Sequence, residues 1–406
     1  MEAIKNENVV KVKSILENSN KNKKILKLNE KDKYGWYPLL KAIDENNIEI
    51  VKLLVDYANQ HQIILELNEK NEYGDYLLSK AIDEYNVEIV KLLLEYSLQH
   101  QIFFKLNEKN DVDYPLLWAI SCNNIEIVQL LIEYANQHQI ILELNEKNEN
   151  GNNPLLETIS NNNIEMVQLL IEYANQHQII LELNKKNKDG NYPLLCATSK
   201  NNIEMVQLLI DYVNQHLIIL ELNEKDELEY YPLLFAISNK NIEIVKLLME
   251  YANQHHIILE LNEKNIYGNY PLLFAISKIN VEIIKLLIEY ANQHQIILEL
   301  NEKDKDGYYP LLFAIFNNNI EIVKLLIEYA NQHKIILELN EKNKYGDYPL
   351  LWAISKNNIE MVKLLIEYAN QHQIILEYDK EDIEYKPEIK NLLQNNYEKE
   401  KMKKVN

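Results

Sequence analysis

The chain has 406 residues, 47% of them hydrophobic, and a formal charge of -20 in which every cation is lysine, since no arginine occurs. That apolar content excludes a disordered chain. The acidic balance without arginine argues against nucleic-acid binding, because phosphate contacts need clustered positive charge and bidentate base reading favours arginine.

A basic protein partner is electrostatically the easier one to accept, although solubility alone also accounts for the charge. Cys122 and Cys196 are the only cysteines, so there is no disulfide framework, which suits a reducing compartment. The segment MEAIKNENVVKVK lacks a signal-peptide core, and no stretch approaches the ~18 consecutive apolar residues of a membrane span. The expectation is a soluble, monomeric, cytoplasmic protein that binds neither membrane nor nucleic acid, with the nucleus as an alternative location.

An internal period organises the chain. Pro38, Pro115, Pro154, Pro193, Pro232, Pro271, Pro310 and Pro349 each precede Leu-Leu, and Leu77 takes the proline's place once. The spacing is 39 residues, shortened to 38 only between Leu77 and Pro115, so nine near-identical repeats follow one another. All seven glycines sit three residues before the proline position. Glycine permits a turn with positive φ, and proline fits the first turn of a helix.

Within a repeat the elements are predicted in order. A short first helix runs from Pro38 to Glu45. Asn46 then takes the left-handed conformation that ends a helix, and Asn47 caps the next helix, with Glu49 in its first turn. The second helix carries Ile48, Val51, Leu54, Val55 and Ala58 on one stripe and Ile50, Leu53 and Tyr57 on another. Both spacings are helical, and two apolar faces suit a helix flanked on both sides. Gln62 to Leu67 is expected to prolong this helix, with a break before Asn68. An irregular or extended connection is the alternative.

Such a helix pair cannot bury its apolar faces alone, so stacking must supply the core. Residues 1–34 read as a partial N-terminal repeat acting as a cap, with Lys11 and Ser14 where other repeats have Ile50 and Leu53. Residues 35–378 hold the nine repeats, and 379–406 a capping helix with a charged tail.

G-x-Y-P-L-L-x-A-I and N-N-I-E-I-V-K-L-L-I-E-Y-A resemble the ankyrin repeat, which has G-x-T-P-L-H-x-A-A and G-H-L-E-V-V-K-L-L-L-x-x-G-A. L-N-E-K-N-x-x-G is similar to V-N-A-K-D-x-x-G. The resemblance covers about residues 3–385 and implies an all-α, ankyrin-like helical-repeat solenoid of about nine full repeats with terminal half-repeats or caps. There are departures. Tyr37 and Leu40 stand where the family has Thr and His, so the family's Thr–His hydrogen-bond network is absent. Each repeat is also six residues longer. Armadillo and HEAT units have a similar length, but the G-x-Y-P-L-L turn argues against them.

No catalytic, cofactor or metal site is expected. Nine repeated histidines, His61 to His372, invite a metal, but stacked equivalents lie ~10 Å apart and zinc holds each nitrogen at ~2.0–2.1 Å. The repeated carboxylates, such as Asp56 and Glu49, lack the differentiated environments of an acid–base pair, and Glu49 with Lys52 reads as an ordinary i,i+3 helix pair. A glycine-rich phosphate loop is excluded because every glycine is in a repeat turn.

What distinguishes the repeats is variation at exposed positions on a constant framework. In the turns these are Tyr34, Trp36, Tyr73, Tyr230, Tyr267, Tyr308 and Tyr345. At the ends of the first helices they are Asp44, Glu45, Lys200, Lys278, Phe316 and Lys356. The resemblance implies that these regions form a concave binding face, and Tyr and Trp are good interface anchors. The position after Leu-Leu varies too (Lys41, Lys80, Trp118, Glu157, Cys196, Phe235, Phe274, Phe313, Trp352) and is expected to serve mainly core packing. The functional expectation is a protein-interaction scaffold or adaptor. The alternative is a passive spacer or elastic rod, motivated by the near-identity of the repeats.

Overall fold

The structure is a computed structural model that describes residues 1–109, 114–383 and 386–403. Every regular element among the described residues is a helix, and none is a strand. The chain forms two compact bodies, Met1–Cys196 and Ala197–Asn406, the division falling inside the short helix Pro193–Ser199. The turn before Pro115 and the last three residues of the tail lie outside the described residues.

One repeat shows why the elements form. Tyr37 is extended (φ -124°) and Pro38 opens a helix that ends at Asp44, one residue before the predicted end. Leu39, Leu40, Ala42 and Ile43 are fully buried. Asn46 is left-handed at φ 50°, and its N–H closes the helix by donating to Ile43 O. The Asn47 side chain then accepts from Ile50 N, and the second helix runs Ile48–Gln60. The same asparagine cap opens the equivalent helix of the other repeats. Both predicted stripes face inward, except that Ile48 and Leu53 are only half-buried.

Stacking builds two layers in each body. In the first, Pro38–Asp44 packs on Leu77–Asp83, then Pro115–Ser121, then Pro154–Ser160, with Val9–Lys21, Ile48–Gln60, Val87–His100 and Ile125–Gln137 stacked behind. In the second, Pro232–Ser238, Pro271–Ser277, Pro310–Phe316 and Pro349–Ser355 make the front layer, and Ile203–His216 through Ile359–His372 the back.

The six extra residues are not helical, contrary to expectation. The second helix stops at Gln60, Gln62 turns left-handed (φ 53°), and Ile63 N closes onto Ala58 O. From there the chain runs without helical bonds to Leu67. Two causes outweigh helix continuation. The segment alternates, burying Leu65 and Leu67 while exposing Ile64 and Glu66, which is an extended-chain period. Its backbone groups also find partners in both neighbouring repeats. The Tyr96 hydroxyl accepts from Leu65 N and donates to Ile63 O, each at 3.1 Å. On the other side Asn29 donates to Ile64 O (2.7 Å) and accepts from Glu66 N (3.4 Å). In the second body Tyr290 and Asn223 do the same for residues 257–260.

At the ends, Ala3 and Ile4 are buried within a first helix Glu2–Lys5, and Lys11 and Ser14 are exposed. After a 3-10 turn at Lys380–Ile383, the helix Pro387–Lys403 packs on Ile359–His372 and buries Ile389 and Leu393.

Candidate protein-binding face

Among the described residues, the turn that precedes a first helix is held by one side chain. Asp32 Oδ1 accepts from Tyr34 N (2.9 Å) and Trp36 N (3.0 Å), while Asp32 N donates to Trp36 O. Asn71 does the same for Tyr73 and Asp75, as do Asp226, Asn265, Asp304 and Asn343 in the second body. Backbone bonds join successive turns, such as Glu72 N to Tyr34 O and Lys305 N to Tyr267 O. The turns therefore present two fixed side-chain positions each. The tip position, four residues before the proline, holds Tyr34, Tyr73, Tyr267 and Tyr345, all exposed. The inner position, two before the proline, holds Trp36, Tyr230 and Tyr308, all half-buried. The inner residue packs on the residue that follows Leu-Leu in its own first helix.

In the first body this rule produces a charged surface. The Lys41 ammonium lies 5.0 Å from the Trp36 ring centroid, and Trp36 is 6.3 Å from Tyr73. Lys41 reaches Asp44 (2.5 Å) and Glu45 (2.8 Å), and Lys80 reaches Asp44 (3.0 Å), Asp83 (3.1 Å) and Glu84 (3.3 Å). Burial opposes the charge on Lys41 and Lys80, but their acidic partners outweigh it and raise both. Asp44 is likewise pushed up by burial and, more strongly, pulled down by Lys41 and Lys80.

In the second body the same positions make an aromatic surface. Tyr230 stacks on Phe235 (4.7 Å, 22°) and lies 6.3 Å from Phe274. Tyr308 stacks on Phe313 (4.5 Å, 18°) and meets Phe316 edge-on at 6.0 Å and Tyr345 at 6.4 Å. Phe316 meets Trp352 edge-on at 4.8 Å. Lys356 caps Phe316 and Trp352, and Lys278 caps Phe274, at 5.3–5.9 Å. Lys200 is exposed.

The repeated histidines do structural work. His100 stacks on Tyr96 (4.2 Å), and its Nε2 bonds Asn59 Oδ1 of the preceding repeat at 2.8 Å. His61, His177, His255, His294, His333 and His372 repeat this pairing. The carboxylates after the asparagine cap also bridge repeats rather than pairing at i,i+3. Glu126 pairs with Lys91, Glu282 with Lys246 and Glu321 with Lys285, at 2.8–2.9 Å. Lys52 turns to Glu88, 3.7 Å away, rather than to Glu49, because the next repeat brings that carboxylate within reach. Burial pushes the Cys122 thiol up, which keeps it protonated.

The family model for ankyrin repeats in three copies matches eight overlapping stretches from residues 1–103 through 294–376. The chain belongs to the ankyrin-repeat family. Ankyrin repeats generally mediate protein–protein interaction. Among solved structures, the chain is similar to the ankyrin repeat domain of Bcl-3, described as a unique member of the IkappaB protein family. The identity is 20% and the TM-score 0.44, over 62% of this chain and 98% of that one. A comparison with curated proteins gives no match.

Where ankyrin repeats carry a Thr and a His, this chain has a different lock. The Tyr37 hydroxyl donates to Glu66 O at 3.1 Å, across to the next repeat's connection. Burial, with Glu66 and Glu69 nearby, holds that hydroxyl protonated far above the usual tyrosine range. The ankyrin turns thus bring together Trp36, Tyr73, Asp44 and Glu45 in one body and Tyr308, Phe316, Tyr345 and Lys356 in the other. Lys80, Phe235, Phe313 and Trp352 also belong to these clusters. Their position varies between repeats, and the sequence alone points to core packing there. The available signal is the inner turn residue five positions upstream, aromatic in Tyr230–Phe235 and Tyr308–Phe313, although Phe274 is preceded there by Asn269.

Proposed function

We propose that the protein is a scaffold or adaptor that binds another protein through its turn and first-helix face. The observation that carries this reading is the contrast between framework and face. The framework repeats almost unchanged, while inner-turn and first-helix positions change from a lysine–carboxylate network to stacked aromatic rings. Half-exposed Tyr, Trp and Phe held rigidly in the turns and on the first helices anchor interfaces at low entropic cost. No helix among the described residues is long and apolar enough to cross a membrane. An intracellular, cytoplasmic place of action is part of this reading, supported by two cysteines that are not joined in a disulfide.

The test is quantitative capture on the immobilised chain from its native lysate, compared with a Trp36→Ala/Tyr308→Ala variant of unchanged helix content. A discrete protein retained by the parent and lost by the variant is expected. Retention by both refutes the assignment of the face. Retention by neither, at low and at high salt, favours a passive spacer.

A further inference from the structure

The first helices from Pro193 onward differ in charge from those of the first two repeats. From Pro193 onward they read PLLCATSKN, PLLFAISNKN, PLLFAISKIN, PLLFAIFNNN and PLLWAISKNN. None of these segments contains an acid, in a chain with 62 acidic residues. They contain Lys200, Lys240, Lys278 and Lys356 instead, each at or just beyond a helix C-terminus. In the first body the equivalent ends are Glu45 and Glu84 in the first two repeats, then Cys122 and Asn161.

Charge and rings are registered against each other. A seven-residue helix is about 10 Å long, and two of these lysines reach the rings. Lys278 lies over Phe274, and Lys356 over Phe316 and Trp352. Stacking Tyr308 on Phe313 covers one face of each ring and leaves Tyr308 half-exposed. The exposed acids Glu227, Glu229 and Asp306 stand in the turns, at the opposite ends of these helices. The result is an apolar strip with a cationic border on one side.

We propose that the second body binds an acidic, extended peptide segment of a partner protein. Its apolar side chains lie on the Tyr308–Phe316–Trp352 cluster and its carboxylates face Lys240, Lys278 and Lys356. This rests on the reading of the face given above and reverses, for this body, the partner charge that the net charge of the chain favours. Rings bordered by cations also suit single-stranded nucleic acid. A peptide is favoured because there is no arginine and the best-placed rings already stack on one another.

The experiment is selection of random displayed 12-residue peptides on the immobilised full chain, followed by anisotropy titration of the enriched peptides and of a dT12 oligonucleotide. Acidic peptides carrying two or more Trp, Phe or Leu are expected. Their affinity should fall roughly tenfold in Lys278→Glu/Lys356→Glu and in Trp352→Ala, and hold in Lys363→Glu, an exposed second-helix control. Helix content by circular dichroism confirms that the variants fold. Enrichment of basic peptides that Tyr308→Ala releases overturns this inference but keeps the binding face. Peptides insensitive to every face variant, or no enrichment, overturn both. Tighter binding of dT12 than of any peptide also overturns the inference.

Discussion

His61 Nε2 lies 2.6 Å from Asn20 Oδ1, a hydrogen bond between the second helices of adjacent repeats. Equivalent bonds recur along both bodies, with one instructive gap. At His138 the asparagine's position is Leu98, and His138 Nε2 is buried with no partner; Phe103 lies against the ring instead, tilted at 57° with centroids 4.6 Å apart. An orphaned buried donor costs ~1–3 kcal/mol, and a satisfied one adds about 1. Leu98→Asn is therefore expected to stabilise the first body by about 1 kcal/mol, and Asn253→Leu, which orphans His294, to destabilise the second. Urea midpoints for both variants provide the check. A Leu98→Asn midpoint at or below that of the parent would refute the account of the gap.

Asp44 links two repeats by accepting from Lys41 and Lys80. Burial opposes its charge, but the two ammonium groups win, so its folded pKa lies below the unfolded 3.8. The contribution is then fully present above pH ~4 and is lost as pH falls through the lowered value. Lys80 has the opposite sign: its pKa is raised above 10.5, so its share is lost only as pH rises past that. Asp44→Asn should cost stability at pH 7, and the difference from the parent should shrink towards zero near pH 2. Thermal melts at three pH values would show it. A difference independent of pH would mean that Asp44 acts through packing rather than charge.

Much of this was legible in sequence because each signal was local. Proline, the Asn-Asn pair and 3.6-residue spacing act within one repeat, and they located both helices and their caps. The connection from Gln62 to Leu67 is not legible in this way, because its decisive partners, Asn29 and Tyr96, are more than thirty residues away in sequence. Its Ile-Leu-Glu-Leu alternation was the available clue. On the face, variation between repeats pointed to Trp36, Tyr230 and Tyr308, but not to what they touch. That depends on a turn that folds the inner residue back onto the first helix, a geometry set by the Asp32 and Asp304 side chains.

Gly268 and Gly346 separate two reasons for glycine. Both have positive φ, 83° and 84°, so alanine costs ~1 kcal/mol at either from backbone strain alone. They differ in surroundings. A Cβ on Gly268 would stand 2.8 Å from Asp304 Cα and 2.9 Å from Lys305 N, backbone of the next turn, whereas one on Gly346 meets nothing within 4 Å. Gly268→Ala should therefore lower the melting midpoint clearly more than Gly346→Ala. It should also speed hydrogen exchange at Lys305 N, which donates to Tyr267 O. Equal losses would show that the turns yield to the extra carbon.

Ile279 occupies the left-handed position between its two helices at φ 59°, where most repeats place asparagine. A β-branched residue is a genuine outlier there, and the strain is of order 1–2 kcal/mol. Little is gained in return, because Ile279 is 49% exposed. Asparagine accepts this conformation readily, and in other repeats its side chain also takes part in bonds between repeats. Asn358 donates to Asn318 Oδ1 at 2.6 Å, and Asn319, forty residues after Ile279 in the next repeat, is the equivalent donor for position 279. Ile279→Asn is expected to stabilise the second body by about 1 kcal/mol, the strain relieved less the small apolar area lost. Ile279→Gly should recover the strain term but not the side-chain bond, and so fall between the two. If glycine matches asparagine, backbone strain accounts for the whole effect; if neither exceeds the parent, isoleucine is not strained in this turn.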